Sequence, residues 1–402
     1  MTADHRPDPF TDASAIVAGL GLPIGMFVAN KSAAFMVVLA AILAVVGACR
    51  SGGAGAMRLC LASPWPKLAL AGSAFIVWAF LSLLWSPVPR TTALGLGEAA
   101  VPALGALALG LAYAAAPPRR LGYLLAAGIA LASLAAMADL ATGMVFRRTF
   151  RIRPDTYVLN RAVVTGLLLT APMFALLPAG RRWPGILSLA LLAAAIVASE
   201  SGAAKLGLLA GLLAGGAGLI VPRFVLSSLG LGTAGLILVA PWLGNVAARL
   251  APAHVIAASE SAHAGDRIAI WQSFGAAVQQ KPLLGSGFNA STRMADLPLV
   301  ADVAEPLRRM LGAGHPHNAF LQVWVELGVV GAILGVVVVL VAIQTIIRLP
   351  IIVRPLAIAF AAAALSIAAV SHGAWQAWWI ATVGASVAML NLAAREARYE
   401  RI

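Results

Sequence analysis

Charged residues are scarce in this sequence. They make up only 11% of the 402 residues, whereas an average soluble domain has about 25%. There are only two cysteines, Cys49 and Cys60, and neither belongs to a C-x-x-C or Cys/His metal spacing. So little charge beside 61% hydrophobic residues excludes a soluble globular enzyme and a disordered chain. So little cysteine excludes a secreted disulfide scaffold.

Long apolar runs take the place of the missing charge. A transmembrane helix needs about 20 mostly apolar residues, and none of these runs shows the alternation of a barrel strand. The tenth run is too long for one span, and we expect it to break near Gly328. The sequence therefore predicts an all-α polytopic membrane protein with about twelve transmembrane helices. The runs are 13–29, 33–49, 68–85, 93–116, 121–142, 161–180, 184–200, 203–221, 224–245, 317–347, 356–372 and 376–393.

Basic residues divide the short loops into two sides. By the positive-inside rule the side richer in arginine is cytoplasmic, so both termini lie in the cytoplasm. The short loops of the opposite side carry only Lys31, Arg90 and Lys205. The net charge of +13 fits orientation signals, anionic lipid or an anionic substrate, and it does not imply nucleic acid. The cytoplasmic side carries Arg50, Arg58, Lys67, Arg119, Arg120, Arg181, Arg182, Arg223, Arg348, Arg354, Arg395, Arg398 and Arg401.

Two longer outer segments divide the chain. Residues 1–245 hold the first nine spans, with a basic outer loop at 143–160. Residues 246–316 form a large basic loop, and 317–402 hold the last three spans and a cytoplasmic tail. The basic residues of these loops fit either anionic lipid headgroups or a phosphorylated substrate, because arginine forks match phosphate oxygens.

The large loop contains a predicted amphipathic helix at 266–280. Ile268, Trp271, Phe274 and Val278 recur there at three to four residues, the helical period. Lys281 and Pro282 end the helix, and a Gly-Ser-Gly-Phe turn follows. We therefore expect a small helical subdomain that lies on the membrane.

The stretch 315–331, HPHNAFLQVWVELGVVG, has the densest polar pattern. Asn318, Gln322 and Glu326 step by four residues and share one helix face, with His317 beside them in the first turn. Polar groups at the end of a membrane helix mark a pathway or a site. A His-x-His metal site and a helix cap at His317 are alternatives. A general base is favoured, because histidine titrates near neutral pH.

These residues resemble a known family. His317–Asn318, nine residues, Gly328, two residues and Gly331 look like the signature of O-antigen ligases, within the O-antigen ligase/polymerase membrane family. Other pieces resemble the same family in the same order, so that the resemblance runs from about residue 81 to 380. These pieces are LSLLWSPVPR (81–90), VLNRA (158–162), SESGAAKLGLL (199–209), DRIAIWQ…PLLGSGF (266–288) and WQAWW (375–379).

The resemblance implies a bacterial inner-membrane glycosyltransferase of GT-C-type architecture with its active site in the periplasm. Such an enzyme moves a glycan from an undecaprenyl-diphosphate donor to a hydroxyl of lipid A–core oligosaccharide, without metal or nucleotide cofactor. The family's essential histidine falls on His317 and a loop arginine on Arg267. A further family arginine is missing from the stretch 201–205, where Lys205 is the candidate replacement. Lysine offers a point charge in place of a fork.

The residues themselves fit this chemistry. Glycosyl transfer from a diphosphate needs a base for the acceptor hydroxyl and cations for the departing diphosphate, and arginines can replace a metal there. His317 and Arg267 are assigned these two tasks, in a single displacement with inversion. A retaining route needs a carboxylate nucleophile. The nearest candidate, Glu326, is nine residues or about 13 Å of helix away from His317.

Further residues receive supporting roles. Asn318 and Gln322 are expected to orient the histidine or the acceptor, while His315, Glu326 and His372 support the site from behind. The tryptophans of 375–379 are interpreted as an interfacial aromatic belt. Asp139 and Glu98 lie in apolar runs and have no assigned partner. The secondary cations for substrate are Arg161, Lys205, Arg151, Arg153, Arg308 and Arg309.

Other functions stay open at this stage. A polysaccharide polymerase of the same family shares the donor, but its acceptor is another lipid-linked glycan; the His-Asn spacing favours the ligase. A protein O-glycosyltransferase is a further alternative. A transporter of lipid-linked glycans, without chemistry, would place its polar groups near the bilayer midplane, whereas here they collect on one face. A chain-length regulator or a separate polymerase is a possible partner.

Overall fold

The computed structural model describes residues 8–52, 66–250 and 264–399. Within these ranges the regular structure is entirely helical, which confirms the all-α prediction. Ten helices are long and apolar enough to cross a membrane, and two more apolar helices, Trp183–Ala198 and Arg354–Val370, are shorter. Each of the twelve predicted runs coincides with one of these helices. Cys60, Arg58, Arg401 and part of the large loop lie outside the described residues.

The helices follow one another with short connections. A π-helical turn, Val17–Gly21, joins the first two into one span. The helices are α1 Pro9–Ile16, α2 Leu22–Val28, α3 Ala33–Arg50, α4 Pro66–Leu81, α5 Pro89–Ala115, α6 Leu121–Ala141, α7 Val145–Thr149, α8 Asn160–Leu176, α9 Trp183–Ala198, α10 Gly202–Ile220, α11 Pro222–Val239, α12 Leu243–Leu250, α13 Ala264–Gln280, α14 Glu305–Met310, α15 Ala319–Ile346, α16 Arg354–Val370 and α17 Ala377–Tyr399.

The largest core joins α3, α5, α6, α8 and α17. Alanines and leucines fill it, because small side chains let membrane helices approach closely. Polar links also cross it: the Ser14 hydroxyl donates to the Ala40 carbonyl at 2.7 Å and lies 3.0 Å from the Tyr113 hydroxyl. The Ser386 hydroxyl of α17 donates to the Leu168 carbonyl of α8 at 3.1 Å. This bundle holds α8 and α17 firmly, and those two helices carry Arg161 and Trp378.

The loop helix α13 packs against the N-terminal half of α15. The structure confirms a helix where 266–280 predicted one, with α13 running from Ala264 to Gln280. Its buried stripe runs through Ile270, Phe274 and Val278, whereas Ile268 and Trp271 are only half-buried at its edges. A second core forms between α13 and α15. Arg267, at the start of α13, is thereby brought to the N-terminal end of α15.

The predicted break at Gly328 is confirmed. Gly328 has φ 65° and ψ −164° inside α15, a conformation open to glycine. The loop 282–288 docks into the break: Ser286 N–H donates to Val325 O at 2.9 Å and Gly287 N–H to Glu326 O at 2.8 Å. A Cβ added at Gly328 would lie 2.2 Å from the carbonyl oxygen of Leu283. Backbone groups freed by the kink are therefore satisfied by the loop.

One arginine of loop 143–160, Arg147, stabilises the fold through a buried ion pair. Arg147, with 2% of its side chain exposed, lies 3.3 Å from the carboxylate of Asp139, supplying the partner that sequence analysis left unassigned. Arg147 also donates to the Phe27 carbonyl and lies over the Phe27 ring. A buried charge pair of this kind leaves Arg147 unavailable to a substrate. Glu98, in contrast, is exposed on α5.

Candidate active site

His317 is held in the loop that leads into α15. Its backbone has φ 51°, in the left-handed region that a non-glycine residue rarely adopts. The next residue, Asn318, is the N-cap of α15: its side-chain oxygen accepts from Phe320 N–H at 2.9 Å and Leu321 N–H at 3.0 Å. The alternative of His317 as the cap is therefore wrong, because Asn318 does that work and leaves the imidazole free.

Three histidines meet at this end of the bundle. The rings of His315 and His317 have centroids 4.2 Å apart, and His317 N–H donates to His315 Nδ1 at 3.3 Å. His372, in the turn between α16 and α17, lies edge-on to Trp378 at 4.7 Å. Its Nε2 atom is buried and has no hydrogen-bond partner in the part of the chain that the structure describes. Most buried polar side-chain atoms in folded proteins have a hydrogen-bond partner, so this nitrogen is an exception.

Two half-buried arginines face the histidines. Arg161, at the first turn of α8, lies over the Trp378 ring at 5.5 Å. Arg267 comes from the opposite side, on α13. Neither forms an ion pair with an acidic residue among residues 8–52, 66–250 and 264–399. Arginine stays charged in proteins, so the cluster is positive and uncompensated.

Burial and positive charge keep the histidines neutral. Burial, followed by the charge of Arg267, lowers the pKa of His317 to about 4. Burial, followed by His317 and Arg161, lowers the pKa of His315 to about 4. The pKa of His372 falls to about 3, through burial and then mainly Arg161. At neutral pH all three imidazoles are unprotonated, so that each is able to accept a proton.

Glu326 organises a separate, closed network behind the histidines. It is fully buried, and its two oxygens accept four hydrogen bonds, from Ser291 Oγ at 2.5 Å, Gln322 Nε2 at 2.8 Å, Asn289 N–H at 2.6 Å and Trp375 Nε1 at 2.5 Å. Every strong acceptor position is thus engaged. The carboxylate that sequence reasoning considered as a nucleophile is a junction between three segments.

Gln322 links the Glu326 network to the histidines. While its amide nitrogen donates to Glu326, its oxygen accepts from Ala374 N–H at 2.8 Å. Ala374 is two residues beyond His372, and a Cβ on the intervening Gly373 would lie 3.3 Å from the His315 ring. Gln322 therefore positions the turn that carries His372.

The remaining predicted cations lie on the surface. Arg153 pairs with Asp155, and Arg308 and Arg309 both pair with Glu305. Arg151 and Lys205 are exposed. In the described ranges no hydrogen bond or ring contact joins these five to the histidines. Arg161 and Arg267 are the two predicted arginines that the fold brings to the cluster.

The tryptophan stretch 375–379 has roles that sequence analysis missed. Trp378 contacts both Arg161 and His372, and its Nε1 donates to Gln376 Oε1 at 2.6 Å. Trp375 is a donor to Glu326. The only signal was the density of tryptophan and glutamine beside His372, which an interfacial belt explained equally well.

Among the described residues no group of three or more His, Cys, Asp or Glu is arranged to hold a metal ion.

The motif pieces separated in sequence meet around the kink of α15. From segment 81–90, the Ser82 hydroxyl accepts from Phe288 N–H at 2.9 Å and Trp85 Nε1 donates to Leu284 O at 3.2 Å. Phe288 in turn stacks on Trp375, with centroids 4.5 Å apart. The pieces 81–90, 282–288 and 375–379 therefore form one scaffold beneath the histidines.

Comparison with known proteins points to one family. A search of curated proteins finds no match. A family model described as O-antigen ligase matches residues 187–336, a stretch that includes Arg267, His317 and Glu326. That family covers ligases and polymerases, which are glycosyltransferase-like membrane enzymes. The match supports the membership of this chain in the O-antigen ligase family.

Proposed function

We propose that this protein is an O-antigen ligase of the bacterial inner membrane. It transfers a glycan from undecaprenyl diphosphate to a sugar hydroxyl of lipid A–core oligosaccharide on the periplasmic face. One observation carries the proposal: a neutral, half-buried His317 lies beside Arg267, in a histidine cluster that Arg161 faces through His315 and His372, and neither arginine has an acidic partner in the described part of the chain. A base next to an anion site is what transfer from a diphosphate requires.

The reaction is a single displacement in this proposal. The imidazole of His317 takes the proton of the acceptor hydroxyl while that oxygen forms a bond to the anomeric carbon. The bond from the anomeric carbon to the diphosphate oxygen breaks, and undecaprenyl diphosphate leaves with the electron pair. Arg267 and Arg161 stabilise the charge that develops on the leaving oxygen. Attack opposite the leaving group inverts the anomeric centre.

Donor binding strengthens the base. In the free protein the charge of Arg267 depresses the pKa of His317. A diphosphate bound between the arginines offsets their positive charge and places negative charge near the imidazole, which raises its pKa toward the working pH. His317 is then a better proton acceptor when the donor is present, and hydroxyl activation without donor is disfavoured.

The closed Glu326 network supports inversion over retention. A retaining mechanism needs a carboxylate free to attack the anomeric carbon. Glu326 is fully buried, and all four hydrogen bonds to it come from the protein itself. We therefore assign Glu326, His315 and His372 to support of the site, and Lys205, Arg151, Arg153, Arg308 and Arg309 to outer contacts with substrate.

A deletion strain distinguishes this proposal from its alternatives. The lipopolysaccharide gel ladder and undecaprenyl-linked glycan are measured in parallel. A ligase predicts loss of the whole ladder with accumulation of long lipid-linked polymer. Core with a single repeat and no long polymer would identify a polymerase instead. An unchanged ladder would contradict both and would favour protein glycosylation or transport.

A further inference from the structure

An intramembrane cavity lies far from the histidine cluster. It has a volume of about 400 Å³ and is enclosed by α8, α9, α10 and α16. Along α16 it is lined from Pro355 to Ala363, whereas His372 follows the other end of that helix. Pro355 and His372 are separated by 17 residues, roughly 25 Å along a helix. The cavity therefore lies toward the opposite membrane face, which is the cytoplasmic one by the positive-inside rule.

The lining is apolar except at one end. Leucine, phenylalanine, glycine and alanine side chains make up most of it, and the Thr170 hydroxyl is used within α8 by the Leu167 carbonyl at 2.7 Å. The remaining polar group is Arg182, at the N-cap of α9. Arg182 is half-buried, and its Nε atom is buried without a hydrogen-bond partner in the described ranges. An apolar slot that ends at a guanidinium whose Nε atom has no partner in the described ranges fits an amphiphile with an anionic head.

The α10 wall of the cavity is rich in glycine. Gly211 and Gly215 let α10 approach α16 closely, since a Cβ added at Gly215 would lie 2.9 Å from the Cβ of Ala359. Gly216 also lines the cavity, and a Cβ added there would meet no atom within 4 Å, so the space beside this residue is free. An acyl chain requires such a continuous apolar surface, whereas a free phosphate ion does not.

We propose that this cavity binds an anionic phospholipid of the cytoplasmic leaflet. Its phosphate lies at Arg182, and one acyl chain lies between α9, α10 and α16. Basic pockets between membrane helices on the cytoplasmic side bind anionic lipid headgroups in this way. The polyprenyl donor is disfavoured as the occupant, because its diphosphate is assigned to the opposite face and would leave Arg182 unused. This exclusion of the donor rests on the proposed function, whereas the cavity and the position of Arg182 do not.

Native mass spectrometry of the full chain in detergent tests whether the charge of Arg182 selects an anionic headgroup. The protein is titrated with phosphatidylglycerol and, separately, with phosphatidylcholine of the same acyl chains. We expect phosphatidylglycerol to bind more tightly, and Arg182→Gln to weaken it at least about tenfold, the effect of losing a charged hydrogen bond. Arg181→Gln is the matched control, because Arg181 is exposed and does not line the cavity. Equal binding of the two lipids, or unchanged binding by Arg182→Gln, would overturn the proposal.

A second pair of variants tests the apolar slot. Gly216→Leu puts a side chain into the cavity and should abolish phosphatidylglycerol binding. Gly235→Leu, on α11, adds the same side chain where a Cβ also meets no atom within 4 Å, and should bind lipid normally. Retention of the lipid by Gly216→Leu would contradict the assigned position. Displacement of phosphatidylglycerol by undecaprenyl phosphate at equal concentration would identify a polyprenyl occupant and overturn the proposal.

Discussion

Two polar regions, one around Glu326 and one around His317, lie along the first three turns of α15. They differ in whether their polar and charged groups have partners within the protein. Around Glu326 every polar atom has a partner: four donors converge on one carboxylate, and no cation is among them. Around His317 the partners are missing, since Arg161 and Arg267 have no acidic residue beside them in the described part of the chain, and His372 Nε2 is unsatisfied. A satisfied network holds the fold together, whereas an unsatisfied one awaits a ligand.

The difference has a physical basis in how charge is offset. The Glu326 carboxylate receives its compensation from neutral donors supplied by three chain segments, so that the network is complete without substrate. The histidine cluster is complete only when an anion arrives, because nothing in the described residues offsets its two guanidinium charges. Substitutions in the first region should therefore affect stability, and substitutions in the second should affect transfer.

The largest expected effect is that of His317→Ala. Removing the base should lower the transfer rate on the order of 10²–10⁴-fold and leave the melting temperature nearly unchanged. Transfer of glycan from purified undecaprenyl-diphosphate donor to lipid A–core, followed by gel, measures the rate. His317→Asn is a useful companion, since asparagine tolerates the left-handed backbone of this position. Near-normal transfer by either variant would refute the assignment of the base.

Glu326→Ala should show the opposite pattern. Four donors would be left without their acceptor, and an unsatisfied buried group costs about 1–3 kcal/mol. We expect a loss of about 3 kcal/mol or more in the free energy of unfolding, measured by thermal unfolding in detergent. Transfer per folded molecule should fall much less than in His317→Ala. A variant that melts normally but transfers nothing would mean that the carboxylate takes part in the chemistry.

Arg267→Gln should weaken transfer by about 10²-fold, as loss of one oxyanion donor does. The change should appear in kcat and in the donor KM, because Arg267 is assigned to the diphosphate both in the bound donor and in the transition state. Arg293→Gln is a matched control on the same loop, since Arg293 is exposed and paired with Asp296. Equal effects of the two variants would show that the loop contributes only general positive charge.

Acid should destabilise the histidine cluster. The pKa of His315 and His317 is about 4 in the fold, against 6.5 for free histidine. Depressed pKa values contribute stability that is present above pH 6.5 and is lost as the pH falls toward 4, because only the unfolded chain binds protons in that window. The melting temperature should fall between pH 6.5 and 4, and less steeply in His315→Gln. An unchanged slope would contradict the buried, neutral state of this histidine.

The smallest effect is expected from the surface arginines. Arg308→Gln and Arg309→Gln each remove one partner of Glu305, and exposed ion pairs contribute about 0.2–1 kcal/mol. Transfer should change by less than about fivefold, the rate equivalent of the upper end of that range. A larger loss in Arg309→Gln, whose side chain is 83% exposed, would show that its contact with substrate is stronger than an exposed ion pair.

Sequence reasoning found the elements but not their connections. The helical runs were predicted from hydropathy, the break at Gly328 from the length of the tenth apolar run, and the loop helix at 266–280 from the helical period. The structure has each of these features. The residues Arg267 and His317 came from family resemblance, and the fold brings them together. The partner of Asp139, Arg147, was missed although it is only eight residues away, because a basic loop invites a substrate interpretation for every arginine.

What the sequence by itself determined is the helical, membrane-spanning character of the chain. This character follows from composition and from the length of the apolar runs, which act locally. Only the tertiary structure decided which charges are offset. Arg147 and Arg161 are fourteen residues apart in similar surroundings, yet one meets Asp139 and the other faces neutral histidines. Compensation depends on distances between side chains of different helices, and packing sets those distances.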